Sequence, residues 1–248
     1  MSSLSLPAIK GLLENSLIEW PGKISVVLFL GGCNFRCPFC HSRQLVLGEG
    51  GRESIPFESV RELLVERSGW IDGVVVSGGE PTIASGLREL LLQLKGLGVA
   101  TRVNTNGSRP GVLKALAAEC LIDSVAMDVK APLDKRYDVL AGVEVDMAAI
   151  GETVDWLLAG SVREVEFRTT VIPSLLSRED VLDVAKRLGQ GAEFVLQAFR
   201  PLDCLEESCQ SLSPVRPEDL VGLAEEAGRF VKSCQVRGAE TAAASRSS

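Results

Sequence analysis

Ile24-Ser25-Val26-Val27-Leu28-Phe29-Leu30-Gly31-Gly32-Cys33-Asn34-Phe35-Arg36-Cys37-Pro38-Phe39-Cys40 is the stretch on which the fold turns. Ile24 to Leu30 is a short, largely β-branched apolar run, as a buried strand should be. Gly31 and Gly32 end it and leave backbone room, so the C-x3-C-x2-C set sits on a loop leaving the strand's C-terminal end. Three thiolates on one short loop need positive charge to neutralise them. Structural zinc takes four closed ligands, and no second C-x2-C pair follows; His41 adjoins Cys40 too closely for both to reach one tetrahedral ion easily. A cubane iron-sulfur cluster accepts three thiolates and keeps one iron open for chemistry.

Outward from this stretch, strand and helix signals alternate. Further strand candidates are Gly73 to Ser77, Val99 to Asn104, Ser124 to Val129, Val165 to Ile172 and Glu193 to Phe199. Between them, apolar residues recur on one helical face: Val60, Leu63 and Leu64; Leu87, Leu90, Leu91 and Leu94; Leu113, Leu116 and Ala117; Val181, Val184, Ala185 and Leu188. Pro56 and Pro217 mark helix starts, and Ser177 with Asp180 reads as a capping box. A last helix is expected over Pro217 to Ser233. Right-handed crossovers wind six such βα units into an α/β fold, an open partial TIM-like barrel. Residues 1–23 read as a lead-in segment, 24–237 as the barrel, and 238–248, small and polar, as a disordered tail.

In parallel βα architectures ligands bind at the C-terminal ends of the strands. Those ends carry unusual residues here. The cysteine loop follows the first strand, Ser77-Gly78-Gly79-Glu80-Pro81 the second, Asn104-Thr105-Asn106-Gly107 the third, and Met127-Asp128-Val129-Lys130 the fourth. Asp128 and Lys130, two apart, share one side of a strand and point into the barrel mouth, as a structural ion pair or as site residues. Arg168, in an otherwise apolar strand, needs an anionic partner. A bridge to Glu166 is not expected, because the two flank Phe167 and Glu166 can pair outside.

C-x3-C-x2-C with Phe39 before the third cysteine resembles the radical S-adenosylmethionine (SAM) superfamily. Ser16-Leu17-Ile18-Glu19-Trp20-Pro21-Gly22-Lys23, then the strand and Gly32 to His41, is similar to the activating proteins of glycyl radical enzymes, nearest to those serving anaerobic ribonucleoside-triphosphate reductase. The resemblance covers about residues 10 to 200. It implies an open partial (β/α)6 barrel of radical SAM type and a [4Fe-4S] cluster on Cys33, Cys37 and Cys40. It implies SAM as cofactor, cleaved reductively to give a 5′-deoxyadenosyl radical that makes a glycyl radical on a partner protein. Gly78, Gly79 and Glu80 would bind the methionine amino group, and Arg168 would meet either SAM's carboxylate or a barrel carboxylate such as Asp128. The family's Asp-x-Lys is Asp128 and Lys130 here, with Asp128 beside a monovalent cation; its Asp-Thr-Asn-Gly segment begins instead with Asn104. Glu19-Trp20-Pro21-Gly22 would lie near the barrel mouth, where the partner's glycine loop is received. A flavodoxin or ferredoxin-type donor would supply electrons. Two rival readings are a radical SAM enzyme acting on a small molecule and a non-enzymatic iron-sulfur electron carrier. The carrier leaves the strand-end residues unexplained.

The chain's 248 residues and 26.5 kDa suit one domain with a sizeable core. A formal charge of −7 argues against non-specific binding to nucleic acid or anionic membranes. Met1 to Lys10 lacks the charged and apolar regions of a secretory signal, and the seven-residue run Ile24 to Leu30 is too short to span a bilayer. Seven cysteines without a paired framework fit a reducing cytoplasm, and an open cluster fits low oxygen. Cys120 and Cys234 read as small core residues on helical stripes. Cys204 and Cys209 share a loop and are too few for a second cluster.

Overall fold

A computed structural model of the chain describes residues 6–48 and 53–239. Its eight strands are β1 Ile9–Ser16, β2 Ser25–Leu30, β3 Gly73–Gly78, β4 Ala100–Thr105, β5 Ser124–Asp128, β6 Glu164–Val171, β7 Glu193–Ala198 and β8 Ser233–Arg237. They form one sheet in chain order from β1 to β8, antiparallel between β1 and β2 and parallel thereafter. The helices are α1 Arg43–Leu47, α2 Phe57–Glu66, α3 Leu87–Gly96, α4 Pro110–Ala118, α5 Lys135–Ala141, α6 Met147–Leu158, α7 Arg178–Leu188, α8 Glu207–Gln210 and α9 Pro217–Ala227. This is the α/β partial barrel expected, with seven parallel strands rather than six and an added antiparallel edge.

The differences have local causes. Within the expected lead-in, Ile9–Ser16 forms β1, a strand whose outer half is exposed and whose alternation is weak. The last helix ends at Ala227 rather than Ser233, and Cys234 lies on β8. Cys120 is an exposed residue with φ of 57°, closing α4, so helical spacing from Leu113 did not bring it into the core. Most of the tail expected from 238 lies outside the described residues.

Elsewhere the sequence pattern builds what it implies. On α3, Leu87, Leu90, Leu91 and Leu94 are all buried against the sheet. Ser177 and Asp180 form a reciprocal capping box at α7, Pro217 opens α9, and Pro56 caps α2 from one residue ahead. Among the described residues no helix is long and apolar enough to cross a membrane.

Register decides what stands together at the strand ends. Leu30 of β2 is level with Gly78 of β3, so the cysteine loop and the Gly78–Glu80 segment leave the sheet side by side. Asp128 of β5 is level with Arg168 of β6. At the opposite end, the connection from β1 to β2 turns under the barrel. Trp20 on that connection is 1% exposed and packs so tightly on Gly73, the first residue of β3, that a Cβ there would come within 2.7 Å of its ring.

Candidate active site

A cavity of about 300 Å³ opens at the C-terminal ends of the strands. Its wall includes Cys33, Cys37, Cys40, Gly78, Gly79, Glu80, Asn104, Asp128, Lys130 and Arg168, so all ten residues singled out from the sequence meet in one place.

The cysteine loop is pressed from two sides by backbone. Gly79 N donates to Leu30 O at 3.0 Å and Glu80 N to Gly32 O at 2.9 Å. A Cβ on Gly79 would fall 1.8 Å from the Gly32 oxygen, and one on Gly142 would fall 2.0 Å from the Arg36 oxygen. Arg36 N donates to Ala141 O at 2.8 Å. Gly78, at φ of +116°, takes a backbone shape that other residues rarely adopt. Side chains add to these main-chain contacts: Asn34 Nδ2 donates to Ser108 Oγ at 2.8 Å, and Arg36 Nη1 donates to Cys33 O at 2.6 Å.

The thiols suit a multi-iron cluster. Backbone N–H groups of Phe35 and Ser42 point at Cys33 Sγ (3.3 Å) and Cys40 Sγ (3.4 Å). Burial pushes the Cys33 thiol up and that of Cys37 up to about 11, so thiolates there require nearby positive charge. Bound iron would supply that charge, and Lys130 lowers the Cys37 thiol in the same sense. Among the described residues no three His, Cys, Asp or Glu side chains group as ligands of a single ion.

Glu80 is 1% exposed and faces protein donors on every side. Its Oε1 accepts from Thr82 N (3.1 Å), Thr82 Oγ1 (2.5 Å) and Thr105 Oγ1 (2.7 Å), and its Oε2 from Asn106 N (2.6 Å). Burial pushes its carboxyl up against these four donors, which favour the ionised form. A carboxylate has about four acceptor positions, so the side chain ties the β3 and β4 loops together. Glu80→Ala would strand two backbone N–H groups, and we expect a stability loss of about 3 kcal/mol, read by urea denaturation. A variant as stable as wild type would return Glu80 to ligand binding alone.

Arg168 bridges Glu166, contrary to expectation. Its Nε lies 2.5 Å from Glu166 Oε1, because residues two apart on a strand share a face and Glu166 turns inward with it. Its Nη1 lies 3.5 Å from Glu19 Oε2, and its Nη2 donates to Asn104 Oδ1 at 3.3 Å. Asn104 Nδ2 donates to Glu19 Oε2 at 3.0 Å. An aspartate at 104 would set a second carboxylate against Glu19, so the amide here matches its neighbour. Arg102 and Arg237 complete this layer, with Nη2 atoms 2.9 and 3.0 Å from Glu166 oxygens. Burial raises the Glu166 carboxyl, but the guanidiniums of Arg168, Arg237 and Arg102 outweigh it and hold it down at about 2. Glu166, Arg102 and Arg237 were not singled out from the sequence. Charged residues at i and i+2 in an apolar strand, as at 166 and 168, were the available signal.

Lys130 Nζ is 2.8 Å from Asp128 Oδ2, the expected pair. Burial pulls the ammonium down, yet Asp128 and Cys37 more than compensate and it stays above its ordinary value. The segment Glu19 to Gly22 is divided rather than placed at the mouth: Glu19 reaches the cavity, while Trp20 and Pro21 line the opposite end of the barrel.

The radical SAM superfamily model matches residues 27–188, the stretch from the cysteine strand through α7. The chain belongs to the radical SAM superfamily. Membership implies a [4Fe-4S] cluster and SAM, and the donor set above fits the cluster. Over 236 residues this radical SAM chain is 30% identical to a Methanocaldococcus jannaschii protein provisionally named as a glycyl-radical enzyme activating enzyme, covering 92% of this chain and 95% of that one. It is 31% identical over 182 residues to pyruvate formate-lyase 1-activating enzyme of Escherichia coli, 70% of each. A 7-carboxy-7-deazaguanine synthase of Rhodopirellula baltica is 30% identical over 182 residues, 71% of this chain and 66% of that one. Among solved structures, Streptococcus suis SuiB bound to its precursor peptide SuiA superposes with a TM-score of 0.66 at 16% identity, over 86% of this chain and 48% of that one. This last likeness concerns the fold.

Proposed function

We propose that this radical SAM protein is an activase that installs a glycyl radical on a partner enzyme, with anaerobic ribonucleoside-triphosphate reductase as the partner. The observation that carries the reading is the near full-length similarity to a protein named as a glycyl-radical enzyme activating enzyme. The choice of partner rests on Ser16 to Lys23 together with the cysteine motif. The chain contains no Arg-Val-x-Gly-aromatic segment of its own, so the glycine comes from another protein.

When bound, the cluster and SAM supply one-electron cleavage of the sulfonium bond and, with it, hydrogen-atom abstraction. Cys33, Cys37 and Cys40 would hold three irons. Backbone carbonyls of the Gly78–Gly79 turn would accept from the SAM amino group. His41, Lys130 and Arg168 are the basic side chains lining the cavity among the described residues. Arg168 is committed to Glu166, Glu19 and Asn104, whereas Lys130 spends one of three donors on Asp128, so we assign SAM's carboxylate to Lys130. A monovalent cation would have Asp128 as its carboxylate, since the Asn104 oxygen faces Arg168.

Anaerobic mixing with the partner, SAM and a reductant, flavodoxin or ferredoxin serving in the cell, should yield a doublet glycyl signal by electron paramagnetic resonance. The similarity to a deazaguanine synthase motivates the small-molecule reading. SAM cleavage without a protein radical on any glycyl radical enzyme of the same cell would establish that reading instead.

A further inference from the structure

Lys130 follows β5 by two residues, and its side chain, 12% exposed, shares the cavity wall with Cys33, Cys37 and Cys40. Its Nζ lies 2.8 Å from Asp128 Oδ2, but the Asp128 side chain is 41% exposed, so water screens the anion far more than the cation. Tyr137 is fully buried beside the pair, with its hydroxyl donating to Asp128 O at 3.4 Å. Burial pushes that hydroxyl's ionisation up, so Tyr137 is neutral and cancels none of the charge. Arg168, the other permanently charged base of the wall among the described residues, is met by Glu166 and Glu19.

These charges bear unequally on the thiols. At Cys37, after burial itself, the Lys130 ammonium is the strongest influence, and it favours the thiolate ahead of the opposing effects of Cys40, Cys33 and Asp128. At Cys33 the Glu80 carboxylate opposes Lys130 and is the stronger of the two. An electron entering a cluster held by these thiolates adds one negative charge to a site walled from water. A buried cation beside the site therefore favours the reduced form, and its loss favours the oxidised one. The sign of that change is set by the one charge removed, because Glu80 and Asp128 stay in place.

We propose that Lys130 raises the reduction potential of the cluster through Cys37, making the cluster easier to reduce. The proposal rests on the cluster that membership of the superfamily implies. The test is an anaerobic titration of the reconstituted full-length protein with titanium(III) citrate, which gives up one electron to the cluster. SAM is left out so that its carboxylate does not engage Lys130, and the reduced cluster is read by visible absorption and electron paramagnetic resonance. Lys130→Met should be about tenfold harder to reduce, a fall of about 59 mV for a one-electron couple. Lys130→Arg, which keeps the charge, should lie much closer to wild type. Asp128→Asn should move the potential the other way and by less, because its carboxylate is partly screened. A purely structural role for Lys130 would not order the three variants by charge. A wild-type potential in Lys130→Met that still holds about four irons overturns the proposal. Should Lys130→Met lose its iron, Asp128→Asn decides: a raised potential supports the role of the buried charge, and an unchanged or lowered one overturns it. Wild-type protein without a four-iron cluster would overturn the cluster assignment too, whereas a cluster indifferent to Lys130 overturns this proposal alone.

Discussion

Alanine at any one of Cys33, Cys37 or Cys40 will abolish the four-iron cluster and all SAM cleavage. Anaerobically reconstituted wild-type protein should carry about four irons and four sulfides per chain. Each single variant should lose them, because three thiolates are the fewest that hold a cubane with one open iron, and the cavity wall contributes no further cysteine among the described residues. Cys204→Ala and Cys209→Ala should retain iron, since both thiols are buried in the apolar core. The loop carrying them touches the cluster loop through Glu206 N to Pro38 O, 2.9 Å, a backbone contact that alanine preserves. Iron and sulfide analysis with the visible absorption spectrum reads the result. One zinc and no sulfide in the wild-type protein would overturn the cluster assignment.

Trp20→Ala should cost about 3–5 kcal/mol, the usual range for removing a large buried aromatic residue. Trp20 forms a separate small core with Val27 and Val75, and it carries cationic groups on its ring, Lys23 Nζ at 5.2 Å and Arg102 at 6.0 Å. Its removal would also leave Glu164 without the indole donor. Urea denaturation measures the loss, and Trp20→Phe should recover most of the packing but not the hydrogen bond. A loss below 1 kcal/mol in Trp20→Ala, on the order expected of a surface substitution, would mean that this end of the barrel is held without it.

Six of the seven parallel strands, β2 to β7, were legible because each is a short apolar run bounded by turn residues, and their ends agree with the structure to about one residue. β1 was not, because an antiparallel edge with one exposed side carries Lys10, Glu14 and Asn15 and shows no sustained alternation. β8 was masked by the preceding helix: Cys234 continues the spacing of Leu220, Ala227 and Val231, and periodicity alone does not register the turn after Ala227. Helix α6 is not among the expected elements, although Asp146, whose side chain accepts from Ala148 N and Ala149 N, caps it and Ile150, Val154 and Leu157 follow at helical spacing. The gathering of strand-end residues into one cavity followed from parallel topology. Which charge meets which did not: the Glu166–Arg168 spacing on β6 was readable, but Glu80 to Asn106, Arg168 to Asn104 and Glu166 to Arg237 cross loops and strands whose register the sequence does not print.

The cysteine loop, held by Gly79 on one flank and Gly142 on the other, has a consequence for how such a protein can diversify. Its position is set by main-chain atoms of neighbouring segments and by two of its own side chains: Asn34 bonds Ser108 and Asn106 of the loop after β4, and Arg36 Nη1 donates to the Cys33 and Phe35 carbonyls. Substitution at Asn34 or Arg36 therefore disturbs the loop that carries the three thiols, and Gly79 and Gly142 leave no room for a side chain at all. Positions 34, 36, 79 and 142 are thus bound to the same constraint as the three cysteines, so a drifting sequence has its freedom on the outer helices rather than around this loop.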